Sequence, residues 1–473
     1  MSAVHEARRA SEHCRPTDES DRLITPSSGA SGSQTSAGGP QEGKMSKETD
    51  YRPMWSDLNM DLDKHDALLG VLVRMYADVY ASQKNRPDGM GYFDFVMSEV
   101  HGLRIKELVD AKAAGKIIVG SFCVFVPEEL VLAVNGINVG LCAGADFGTE
   151  HAERYLPRNT CALIKSFFGF SLEKVCPYLQ SCDLVVGENT CDGKKKAYEL
   201  FSDMVPGEFL AIDMPNTKSA QGRAVLKQAY LDLKAALERI SGERITVESL
   251  RDGIEKVNAK RDAMHRLASL RHADPAPISG LDALLANQVF FYDDVERFTA
   301  SVNKLCDELE KCVEEKRGAF NEKTPRIVIS GCPMAVPNWK LPHIVESSGA
   351  VIVGEESCIG ERGTQNLVDK EGDTVDALIE KLVDRYFTID CALFTLNHTR
   401  AEHALEIARD AKADGVIHYG LQFCAPYQIE AQLLDRTVEK AGIPVLRIDT
   451  DYSNEDVEQL RTRVEAFIEQ IRG

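Results

Sequence analysis

Short apolar runs that end in cysteine, each followed by a helix-like stretch, constrain this 473-residue chain more than any other feature. The first group is "KIIVGSFC" (116–123), "GINVGLC" (136–142), "CDLVVGENTC" (182–191) and "FLAIDMPN" (209–216). The second is "RIVISGC" (326–332), "AVIVGEESC" (350–358), "CALFTL" (391–396), "DGVIHYGLQFC" (414–424) and "IPVLRIDTDYS" (443–453). Continuous apolar runs of this length, separated by helices, are the pattern of parallel strands covered on both faces. The two groups repeat one plan. "IIVGSFC" answers to "IVISGC", "LVVGENTC" to "VIHYGLQFC" and "FLAIDMPN" to "VLRIDTDYS". The fold class expected is therefore α/β, with two doubly wound parallel-sheet (Rossmann-like) domains.

Helical periodicity frames them. Residues 45–115 read as an N-terminal helical region, 116–220 as the first α/β domain, 221–322 as a charged helical connecting segment, and 323–473 as the second α/β domain. Residues 1–44 contain "SSGASGSQTSAGGPQEGK", too small and polar to bury a core, and are expected to be a disordered tail. Ordinary sequence starts at Met45, so a start-site extension is the reading for that tail. With no apolar run long enough to span a bilayer and a net charge of −19, neither a membrane nor nucleic acid is expected as partner. Thirteen cysteines without an export signal point to a reducing, cytoplasmic setting.

Ligands of open parallel sheets sit beyond the carboxyl ends of the strands. Cys123, Cys142, Cys191, Cys332, Cys358 and Cys424 all fall on that edge. Helix starts follow several of them, and a helix N-terminus favours thiolate. Thiolates converging from two domains describe a soft-metal site. Zinc suits them poorly, because close C-x₂₋₄-C pairs are missing. The stretch "GENTCDGKK" also misses the phosphate loop: the glycines are one residue too far apart, and Lys195 stands where Ser or Thr belongs. Core packing is the reading for Cys182, Cys306, Cys312 and Cys391, which sit at strand starts or on a charged helix. His343, His398, His403 and His418 have no metal-ligand spacing.

Two stretches, "YLPRNTCALIKSFFGF" (155–170) and "VVGENTCDGKKKAYELF" (185–201), resemble the paired cysteine motifs of the 2-hydroxyacyl-CoA dehydratase/benzoyl-CoA reductase family. The resemblance continues through "SFCVFVPEEL", "SGCP", "GLQFCAPY" and "IDTDYS", over about residues 100 to 470. It implies an iron–sulfur cluster between the domains, fed by an ATP-hydrolysing iron–sulfur reductase. Cys161, Cys191 and Cys424 match the three-cysteine set of a [4Fe–4S] cluster with one iron open to other ligands. Cys123, Cys332 and Cys358 would supply a second set, as in the family's double-cubane branch, where a homodimer carries an [8Fe–9S] cluster. Cys142 and Cys176 stand in reserve, Cys142 competing with Cys161 because it pairs with Cys358 in the internal repeat.

Around such a cluster, Lys165 and Lys194–Lys196 are candidates to offset anionic charge, with a solvated helix face as the alternative. Glu129 and Glu188 are candidate proton carriers, with helix capping as the alternative. The leading expectation is an iron–sulfur reductase component acting on a small substrate. The alternative is an (R)-2-hydroxyacyl-CoA dehydratase subunit, which expels water from an acyl-CoA through a ketyl radical. A metal-free scaffold with buried cysteines is the third reading.

Overall fold

The structure, a computed structural model, describes residues 49–473. The expected tail, 1–44, lies outside the described residues. Four helices open the described chain: α1 (Arg52–Asp57), α2 (Leu62–Tyr76), α3 (Met90–Ser98) and α4 (Leu103–Ala113). The first sheet then forms from β1 (Ile118–Ser121), β2 (Ile137–Gly140), β3 (Leu184–Glu188) and β4 (Glu208–Ile212), all parallel, in the order β2-β1-β3-β4. Its helices are α5 (Glu128–Ala133), α6 (Thr149–Ala152), α7 (Ala162–Leu172), α8 (Pro177–Ser181) and α9 (Asp192–Phe201).

Helices α10 (Ala220–Ser241), α11 (Val247–Arg271), α12 (Gly280–Val289) and α13 (Val295–Glu314) follow. The second sheet is β5 (Arg326–Gly331), β6 (Val351–Glu356), β7 (Gly415–Leu421) and β8 (Val445–Thr450). It repeats the first in direction and order, β6-β5-β7-β8. Around it lie α14 (Lys340–Ser347), α15 (Glu361–Thr364), α17 (His398–Asp410), α18 (Ala425–Lys440) and α19 (Val457–Arg472), whereas α16 (Val375–Thr388) crosses over to pack on α10 in the core of the first sheet. The fold is α/β with two Rossmann-like sheets, as the strand runs lead one to expect. Their central strands β1, β3, β5 and β7 are buried along their whole length, which is why these runs are continuously apolar rather than alternating.

One apolar run departs from expectation. "CALFTL" (391–396) is a loop between α16 and α17, not a strand. Its backbone bonds across to the first half, Thr395 N donating to the Asn216 carbonyl at 2.8 Å, instead of joining the second sheet.

Helix α12 is buried at every residue, the mark of a helix enclosed on all sides. The Glu346 carboxylate, on α14, accepts from the Gly280 and Leu281 N–H groups at its start and from Ile352 N of β6. Near its other end, Gly140 N at the end of β2 donates to the Phe291 carbonyl at 2.8 Å. Gln288 meanwhile donates to the Met334 carbonyl and accepts from Trp339 Nε1. One helix thus joins the edge strands of both sheets. The apolar core runs without a break from Tyr76 and Tyr80 through α12 into β5 and β7.

Candidate functional site

A cavity of about 840 Å³ opens where the carboxyl ends of the two sheets face each other. Eight cysteines line it: Cys123, Cys142, Cys161 and Cys191 from the first half, and Cys332, Cys358, Cys391 and Cys424 from the second. The repeat puts them there. Cys123 and Cys332 follow the equivalent strands β1 and β5, Cys142 and Cys358 follow β2 and β6, and Cys191 and Cys424 follow β3 and β7. Cys161 and Cys391 each stand between the second and third strand of their half, a short way before a helix. At Gly331 (φ 145°) the chain turns out of β5 toward Cys332, and a Cβ there would collide with the Tyr419 carbonyl.

The thiols fall into two groups. In one, the Cys123 thiol is hydrogen-bonded to Cys358, and Cys391 is close enough to bias both. The Cys123 bond and the Arg362 guanidinium, 3.7 Å from the sulfur, bring Cys358 down to about 6 despite burial. Cys123 is pushed well up by the same bond and by burial. Cys391 Sγ lies 3.9 Å from the Tyr427 hydroxyl. In the second group, Cys424 is hydrogen-bonded to both Cys161 and Cys332, while Cys191 lies alongside Cys161. Leu421 N donates to Cys332 Sγ at 3.4 Å. Cys142 donates to the Phe122 carbonyl at 2.8 Å, and burial pushes it up to about 11.

Helix N-termini do less for these thiols than the sequence suggests. Cys191 caps α9 and accepts from Lys194 N at 3.4 Å, which favours thiolate, yet burial outweighs this and raises it. Neutral buried thiols of this kind lose their protons when a soft metal binds them, so the donor set fits such a group chemically. Among the described residues the donors are spread around the cavity, and no three of them are grouped to hold a single ion.

Residues 123–471 match the family described as 2-hydroxyglutaryl-CoA dehydratase, D-component. The chain belongs to this family. YjiM of Escherichia coli (strain K12), provisionally named a dehydratase subunit, is 36% identical over 377 residues, 79% of this chain and 96% of that protein. The (R)-phenyllactyl-CoA dehydratase beta subunit of Clostridium sporogenes is 29% identical over 358 residues, 75% of this chain and 92% of that protein. A benzoyl-CoA reductase subunit of Thauera aromatica is 23% identical over 353 residues, 74% and 89% of the respective chains. The resemblance carried by the two cysteine motifs is thereby established for the family as a whole.

In this D-component chain the six cysteines expected as ligands, Cys123, Cys161, Cys191, Cys332, Cys358 and Cys424, share one cavity. Cys142, held in reserve, joins them, whereas Cys176 packs beside Leu179 away from it. Cys391 is packed in the core as expected, beside Tyr386, Ile389 and Phe394, and in addition lines the cavity 3.9 Å from the Tyr427 hydroxyl. Cys182, Cys306 and Cys312 are in the core.

The charged candidates divide differently from expectation. Glu129 is fully buried, paired with Arg261 at 2.8 Å and accepting from the Tyr386 hydroxyl at 2.7 Å, off the cavity wall. Glu188 is also fully buried and is paired with Lys194. Both carboxylates are committed to cations, so neither is presented as a proton carrier. Lys165 pairs with Glu153 at 3.0 Å, outside the cavity lining, while Lys194 does line it, over the Phe122 and Tyr198 rings. Lys195 and Lys196 are solvated.

Behind Cys358 lies a feature with no sequence signature. Glu356, fully buried, accepts from Ser330 Oγ (2.6 Å), Arg362 (2.8 Å) and Arg400 (2.9 Å). Arg400 also reaches Glu430 at 2.7 Å, and both guanidiniums lie over the Tyr427 ring. On the cavity's open side Leu396, Phe423 and Ile429 are 80%, 47% and 76% exposed, giving it an apolar rim.

Proposed function

We propose that this chain is an iron–sulfur component that takes single electrons from an ATP-hydrolysing iron–sulfur reductase and reduces a small substrate at a double-cubane [8Fe–9S] cluster. One observation supports the reading above the others: thiols from both halves line one cavity in two interacting groups. The group of Cys161, Cys332 and Cys424, with Cys191 beside it, would hold one cubane, and Cys123, Cys358 and Cys391 the other. Bound there, such a cluster supplies single electrons whose potential follows its charge, hydrogen bonds and exposure.

The chain's own residues then have defined tasks. Arg362 donates toward the Cys358 sulfur, and Lys194 adds a cation near Cys123 and Cys142. Tyr427, pushed well up by burial, keeps its proton at the cavity wall, a role the two glutamates do not fill. Leu396, Phe423 and Ile429 keep bulk water from the opening. All these thiols come from one chain, so a homodimer of complete sites is the expected assembly, in a reducing cytoplasm where every cysteine of the described residues stays free.

The alternative, an (R)-2-hydroxyacyl-CoA dehydratase subunit with one [4Fe–4S] cluster and an acyl-CoA substrate, draws support from the names of the relatives. Iron and acid-labile sulfide on anaerobically purified protein decide between them: about eight irons per chain for the double cubane, about four for the single cluster. A colourless, iron-free protein of unchanged stability would refute both.

A further inference from the structure

Ser121, Cys123, Val124 and Phe291 are shared between the large cavity and a second void of about 30 Å³. Three cationic side chains line that void: Lys260, Arg261 and Arg385. Lys260 is held by Glu128 at 2.9 Å, and Arg261 by Glu129 at 2.8 Å. Arg385 reaches no carboxylate among the described residues. Its Nε donates to the Asn366 carbonyl at 3.2 Å and its Nη2 to the Gly363 carbonyl at 2.9 Å. Its Nη1 is buried with no partner at all, on a side chain only 3% exposed.

Two carboxylates face three cations, which leaves one positive charge uncompensated on a guanidinium whose Nη1 is shut off from solvent. A buried unpaired charge is among the least tolerable arrangements in a protein, and a guanidinium does not escape it by losing its proton near neutral pH. The void exceeds the roughly 10–15 Å³ that one water-sized species needs. Ser121, also in its wall, brings a hydroxyl, and Asn138 a side-chain amide whose oxygen has no partner. We propose that Arg385 holds a small monovalent inorganic anion, of halide size, in this void beside Cys123. The inference stands apart from the proposed function, since it rests on the charge balance of the void alone.

Crystals of the protein soaked in sodium bromide and measured at the bromine absorption edge test it directly. The expected result is an anomalous peak in the void within hydrogen-bond reach of the Arg385 guanidinium. Density there without anomalous signal, an ordered water only, overturns the proposal, as does an empty void. In solution, the melting temperature is expected to be higher in sodium chloride than in sodium gluconate of equal ionic strength. That difference should vanish in Arg385→Gln and persist in part in Arg385→Lys. Equal melting temperatures of the wild-type protein in the two salts count against the site. Should Arg385→Gln fail to fold, the wild-type bromide map alone decides.

Discussion

Glu356 is the residue whose neutralisation should cost this protein most. Its carboxylate is the only acidic partner of Arg362 among the described residues, whereas Arg400 has a second one in Glu430. Glu356→Gln keeps the shape but strands the Arg362 guanidinium, which is fully buried. Removing one partner of a buried ion pair costs about 3–5 kcal/mol, and Arg362, left with the Gly331 carbonyl and the Cys358 sulfur but no carboxylate, puts this variant at the upper end. Arg362→Met and Arg400→Met each leave Glu356 with one guanidinium and the Ser330 hydroxyl, so both belong at the lower end, about 3 kcal/mol. Urea unfolding followed through the buried Trp339 reads the difference. With a denaturant slope of about 3 kcal/mol per molar, Glu356→Gln should move the midpoint down by more than ~1 M. Replacing all three charges by apolar residues should recover part of the loss, because a buried charge cluster is weak net stabilisation. A Glu356→Gln midpoint within ~0.3 M of wild type, or above those of the arginine variants, would refute this reading of the network.

Other outcomes follow from the same geometry. Cys391→Ser is expected to cut the iron content of anaerobic protein to about half, since it removes one thiol from the Cys123–Cys358 group and leaves the other group whole; undiminished iron would return Cys391 to a packing role. Lys194→Met should destabilise by about 3 kcal/mol by orphaning buried Glu188, while Lys196→Met on the solvated side of α9 should stay within about 0.5 kcal/mol, both read by urea midpoint. Glu361 titrates at about 8 because of burial, offset in part by Arg271, against an ordinary 4.5. The unfolded carboxyl therefore ionises first, and stability is lost as pH rises from about 4.5 through about 8. Glu361→Gln should flatten that decline between pH 5 and 8, and an unchanged slope would mean Glu361 is already charged in the folded protein.

Strand-end chemistry is legible in the sequence because a buried parallel strand has to be a continuous apolar run, and the residue ending it sits on the ligand edge. That logic reaches Cys123, Cys142, Cys191, Cys332, Cys358 and Cys424. It does not reveal that Cys391 lines the cavity, because "CALFTL" is just as apolar as a strand, whereas in the fold it is a loop whose Thr395 bonds to Asn216. The signal that would have found it was positional: Cys391 occupies in the second half the place Cys161 has in the first. Glu129 and Lys165 misled for a different reason. Each is near a site cysteine in sequence, but its partner arrives from elsewhere in the fold, Arg261 for Glu129 and Glu153 for Lys165. Which of four lysines enters a cavity is likewise a matter of helix rotation, and Lys194 is the one on the buried side of α9. The thiol expectation failed on magnitude, since desolvation outweighs the pull of a helix end.

Because α12 is tied at its start to β6 through Glu346, and the chain just past its end is bonded to β2 through Phe291, one short, dry rod helps set the separation of the two rows of thiols. A prosthetic group large enough to touch both rows therefore has two histories open to it. It enters past Leu396, Phe423 and Ile429 in pieces small enough for that opening, or it is laid down while α12 is still undocked and the chain closes around it. Either way, the order of assembly is written into a helix that lends the cavity wall a single residue, Gln288.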